Sequence, residues 1–161
     1  MVQIPPVIDP HYVPPRPDAT TFNTVISCIQ QHCSRDDAVG AAQRAEAWLR
    51  YMADHHAKNG GEGDDIPAPD AYTYTAVTKA WKSVRTDEAV EPALQLLAEA
   101  ERTGICRKNS REHVILVTLV VQILCQHQHP ARAERLLLES LSHPDVTAYT
   151  SIMQGLSLIH I

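Results

Sequence analysis

The side chains with the most obvious chemical potential are the nine histidines and four cysteines. Their densest cluster is Cys125-x-His127-x-His129. A zinc site needs about four converging nitrogen or sulfur donors. Helical residues two apart point about 200° away from one another, so Cys125 and His127 diverge. His55 and His56 are adjacent and diverge too, and Cys28 and Cys33 lack the two-residue spacing of a redox pair. No Gly-x-Ser-x-Gly elbow, phosphate loop or dinucleotide fingerprint occurs. No His-x-Glu is followed by the Cys-x-x-Cys of a zinc deaminase. The expectation is a protein without catalysis, metal or cofactor.

A different kind of chemistry is written as a repeat. Three segments share one pattern: Pro17-Asp18-Ala19-Thr20-Thr21-Phe22-Asn23-Thr24-Val25, Pro69-Asp70-Ala71-Tyr72-Thr73-Tyr74-Thr75-Ala76-Val77 and Pro144-Asp145-Val146-Thr147-Ala148-Tyr149-Thr150-Ser151-Ile152. Each runs Pro-Asp, three residues, an aromatic, Asn or Thr, a small residue and a β-branched aliphatic. The carboxylate and the amide or hydroxyl are hydrogen-bonding groups at a constant separation. A second pattern follows each: Ala45 to Met52, Ala93 to Ala100 and Ala133 to Ser140. A small residue leads, with apolar residues three and four positions on, placing all three on one helix face.

The elements that position these groups read as helices over roughly 20–33, 36–58, 72–84, 87–103, 111–128, 130–142 and 146 onward, from a 3.6-residue apolar period. Ser34-Arg35-Asp36-Asp37 has the form of a capping box. Thr86-Asp87-Glu88 puts acids in a first turn, where the macrodipole favours them. Thr103-Gly104 closes a helix, and Pro130 suits a first helical position. Residues 1–17 are Pro-rich and expected to be an extended arm, and 59–65 form a Gly- and acid-rich insertion. The short connections favour antiparallel hairpins. Each hairpin has an apolar face that it can bury only by stacking, which explains why the pattern recurs.

Apolar residues make up 44% and aromatics 5%, a composition suited to closely packed helices rather than a β-sandwich. No apolar run approaches the roughly 18 residues of a membrane span. The net charge of −5 lies wholly in residues 1–70, which hold five Lys/Arg against ten Asp/Glu; residues 71–161 hold nine of each. This is not a broad basic footprint for nucleic acid. Arg102, Arg107, Lys108 and Arg111 form the single basic cluster, able to meet phosphate or simply to be solvated.

These segments resemble the pentatricopeptide repeat, whose usual form is Pro-Asp, a Tyr-Asn-x-Leu-Ile helix, a turn, and Ala-x-x-Leu-Phe-x-x-Met. Phe22-Asn23-Thr24-Val25-Ile26, Ala45 to Met52 and Glu101-Arg102-Thr103-Gly104 carry the likeness. It spans residues 18–156, with repeats at 19–70, 71–113 and 114–145 and a partial one at 146–156. The first two are longer than the usual 35 residues. The third has His113 where Pro-Asp would end and Val117 where the aromatic would stand. Residues 157–161 leave the pattern and read as a tail foreign to the array, which reads as a fragment of a longer one.

The resemblance implies an all-α, right-handed solenoid of antiparallel hairpins that binds single-stranded RNA in a mitochondrion or plastid, one base per repeat. The implied base-reading residues are Asn23 with Asp70, Thr75 with His113, Thr118 with Asp145, and Thr150 without a partner. Asn23/Asp70 implies uracil and Thr118/Asp145 guanine; Thr75/His113 matches no common pair. Val25, Val77, Val120 and Ile152 are the implied base-flanking aliphatics. Against this stand plainer readings: Asp18, Asp70 and Asp145 as helix N-caps, Phe22, Tyr74 and Tyr149 as packing residues, and the whole as a scaffold for a protein partner.

Overall fold

The computed structural model describes residues 16–32, 34–59 and 66–140 together with Val146, Tyr149, Thr150 and Met153. Six α-helices follow one another: α1 (Ala19–His32), α2 (Ala38–Asn59), α3 (Ala71–Lys82), α4 (Val90–Arg102), α5 (Arg111–Gln126) and α6 (Pro130–Ser140). The second and fourth are each preceded by a 3₁₀ turn, Arg35–Asp37 and Asp87–Ala89. Val146, Tyr149, Thr150 and Met153 are also helical. There is no strand among the described residues.

The chain ends its helices where its residue types ask it to. Gly104, at φ 71°, takes the left-handed position after α4 that a side chain resists. Pro130 opens α6. Asp70 caps α3 in a reciprocal box: its carboxylate accepts from the Thr73 amide at 2.8 Å, and the Thr73 hydroxyl accepts from the Asp70 amide at 3.1 Å. Ser110 caps α5 by accepting from the His113 amide at 3.2 Å. The box expected at Ser34 does not form: Ser34 makes no side-chain cap bond. The segment from residue 35 begins in 3₁₀ geometry, in which the Asp37 amide bonds the Ser34 carbonyl instead.

Each first helix packs on the second helix of its hairpin, α1 on α2, α3 on α4, α5 on α6. The first helices also pack on each other, α1 on α3 and α3 on α5, and α2 meets α3 as α4 meets α5. Alanines make the close approach possible: Ala42, Ala45, Ala93, Ala100 and Ala133 are all fully buried. Leu49, Leu96, Leu116, Ile123 and Leu124 are buried around them, each stabilising the fold by about 1.5–3 kcal/mol. A polar cluster ties three helices. Trp81 donates its indole N–H to Glu46 at 3.0 Å, Arg50 pairs with both Glu46 and Glu99, and the Tyr74 hydroxyl donates to Glu99 at 3.2 Å. Burial, then the Glu99 carboxylate, pushes the Tyr74 phenol up to about 12.

A candidate nucleic-acid interface

The solvent-facing sides of α1, α3 and α5 form one face. Thr20, Asn23, Thr24, Ser27, Cys28 and Gln31 of α1 line an open cleft of about 470 Å³ with Asp70 and Tyr72. The face continues through Thr75 and Lys79 to Lys82, whose ammonium donates to Gln122 of α5 at 2.6 Å. Thr118 lies one turn before Gln122, half-buried.

Asn23 and Asp70, 47 positions apart in sequence, meet in this cleft. The Asn23 amide donates to Asp70 Oδ1 at 3.3 Å, and its carbonyl oxygen lies 2.8 Å from the Thr73 hydroxyl, which also sits 2.8 Å from Asp70 Oδ1. The Thr73 hydroxyl has one proton and shares it between two acceptors. Asn23 is only 7% exposed, yet it lines the cleft and retains one amide hydrogen and one lone pair beyond these bonds.

The second expected pair does not present itself this way. Thr75 turns its hydroxyl back to the Ala71 carbonyl at 2.8 Å, a local bond that binding can exchange. His113 is fully buried. Its Nδ1 accepts from the Asn109 amide at 3.3 Å, so Nε2 carries the proton and donates to Glu101 at 2.8 Å. Both ring nitrogens are occupied, and the side chain acts as a lock between the α4 end and the α5 start. Thr118 and Thr150 bond the Val114 and Val146 carbonyls, at 2.8 and 2.7 Å. Asp145 and Ile152 lie outside the described residues.

Val77 and Val120 are fully buried core residues, not flanking ones. Two residues along a helix is a turn of about 200°, which carries them to the face opposite Thr75 and Thr118. Val25, at the same place on α1, is 40% exposed, because no helix of the described chain packs on the outer side of α1. The large side chains that do stand on this face are Tyr72 and Ile115, 59% and 41% exposed, each three residues before its threonine; Thr20 holds that place before Asn23. The i−3 spacing, one helical turn, was the signal that would have found them.

The charge on this face differs from that of the chain. Among the first helices, α1 contains no Lys, Arg, Asp or Glu, α3 only Lys79 and Lys82, and α5 Arg111 and Glu112. Two acids border the face, Asp18 and Asp70 at the starts of α1 and α3; most of the others in the described residues sit in the 3₁₀ turns and in α2, α4 and α6. Burial raises the thiols of Cys106 and Cys125 above the usual range, which leaves both unreactive. No group of three or more metal-ligating side chains converges among the described residues, and none of their helices is long and apolar enough to cross a membrane. No protein-family model matches the chain, and no curated protein matches it.

Proposed function

We propose that this chain is a pentatricopeptide-like right-handed solenoid that binds single-stranded RNA along the α1–α3–α5 face, without catalysis, within an organellar transcript-handling protein. The observation that carries the proposal is the Asn23–Asp70 contact in the cleft. A short amide oriented by a carboxylate is chemistry suited to a base edge. Asn23/Asp70 reads uracil, with Thr20 and Tyr72 flanking the base. Thr118 and Ile115 serve the third repeat. Thr75 acts without His113, so the middle repeat contributes stacking on Tyr72 and Ile115 more than discrimination. Lys79, Lys82 and Arg111 supply the phosphate contacts that a chain of net charge −5 needs to concentrate on one face.

Fluorescence anisotropy against short single-stranded RNAs tests this. One RNA carries U and G two positions apart and a control exchanges them. Preference for the first, lost in Asn23→Ala, is the expected result, with affinity falling as salt rises. Salt-sensitive binding with no preference would retain RNA and remove the base assignments. No binding by the folded chain would give the face to a protein partner.

A further inference from the structure

The outer side of the α1–α2 hairpin carries an aromatic groove that RNA reading does not use. Phe22 meets Trp48 edge-on at 5.9 Å, Trp48 meets Tyr51 edge-on at 5.8 Å, and Tyr51 tilts against His55 at 4.4 Å. Ile29, Arg44, Ala47, Trp48 and Tyr51 line a groove of about 520 Å³ along the helix seam. Trp48 and Tyr51 remain 38% and 42% exposed, and Val25 of α1 is exposed as well. The places equivalent to Val25, Val77 on α3 and Val120 on α5, are buried, and α3 and α5 each pack on the preceding first helix. The aromatics therefore stand where a covering element belongs.

We propose that the groove is the docking site of the chain's own Pro-rich segment, residues 1–15. Three observations argue for that occupant. The segment ends four residues before α1 begins at Ala19, and Phe22, the first ring of the ladder, lies only four residues past Asp18, about 6 Å along the axis. Its length suffices: fifteen residues in a polyproline conformation reach about 45 Å, against about 21 Å for a helix of α1's fourteen residues. Its chemistry fits: Pro5, Pro6, Pro10, Pro14 and Pro15 alternate with Val2, Ile4, Val7, Ile8, Tyr12 and Val13, and aromatic-lined grooves bind proline-rich segments. The tether supplies an effective concentration on the order of millimolar, so even a weak contact is mostly closed.

The test compares the full chain with a full-length variant carrying V7S, I8S, Y12S and V13S, by acrylamide quenching of tryptophan fluorescence. Trp81 is buried at 3% exposure, so changes report on Trp48. Release of the segment should raise the quenching constant roughly twofold with an unchanged far-ultraviolet spectrum, and a peptide of residues 1–16 added in trans should restore protection. Nuclear Overhauser contacts from the Trp48 indole to proline rings in the unsubstituted chain give a second, fold-independent readout. Equal quenching in both chains with no such contacts would overturn the proposal. So would protection of Trp48 that rises with protein concentration, which would assign the groove to a second copy.

Discussion

Replacing Asp70 by alanine removes the acceptor of three hydrogen bonds, from the Thr73 amide, the Asn23 amide and the shared Thr73 hydroxyl, and the sizes of the first two can be set out. The carboxylate caps α3 through the Thr73 amide, and loss of such a cap costs about 1 kcal/mol. It also accepts from the amide of the mostly buried Asn23, a net contribution of about 1 kcal/mol that grows when the donor is left unpaired. Asp70→Ala should therefore destabilise the fold by about 2–3 kcal/mol. Asp70→Asn keeps an acceptor at the cap and should cost well under half of that, since Asn caps as well as Asp. Urea unfolding followed by circular dichroism, with m unchanged, measures both. A cycle with Asn23→Ala should show coupling near 1 kcal/mol, as expected for residues in direct contact. Equal costs for the Ala and Asn variants, or coupling within error of zero, would refute the reasoning. The conservative variant has a second use: it leaves the helix capped while altering the polar edge that lines the cleft, and so separates folding from the proposed base reading.

His113→Leu should cost about 2 kcal/mol in the same assay, because it leaves the Asn109 amide and Glu101 without their partner. One of the five tyrosines should titrate late, near 12, in absorbance at 295 nm, and Tyr74→Phe should abolish that step. Its folded value lies above the unfolded one, so the stability linked to the phenol is whole below about 10 and is lost as pH rises through about 12. Gly104→Ala should cost about 1 kcal/mol for its positive φ alone, since an added Cβ meets nothing within 4 Å.

The helices were legible because the apolar period and punctuation agreed: Pro130, Gly104 and Asp70 each stand at a helix boundary. What local pattern could not carry was the role of a side chain that depends on its neighbours. Ser34 has the residues of a capping box, but the 3₁₀ turn that follows satisfies its surroundings through backbone bonds. The position of His113 in the repeat suggested a polar reader. Its burial follows from Asn109 and Glu101 lying where both ring nitrogens bond, a contact between two helix ends that no periodicity encodes. The resemblance implies Val77 and Val120 as base-flanking, whereas their rotation about the helix turns them into the core. The Asn23–Asp70 contact was reachable only by way of the repeat, since 47 intervening positions erase any local signal.

One helix lies against four others: α3 touches α1, α2, α4 and α5. Its amides therefore have no small opening to exchange through, because freeing α3 strips a packed side from every neighbour. Deuterium uptake there should report the global unfolding free energy, while α6, which packs chiefly on α5, opens at lower cost and exchanges first. The helix that carries Tyr72 and Thr75, with its Asp70 cap, is thus the last of the described elements to come apart, and the α3 wall of the cleft persists after the terminal helices open.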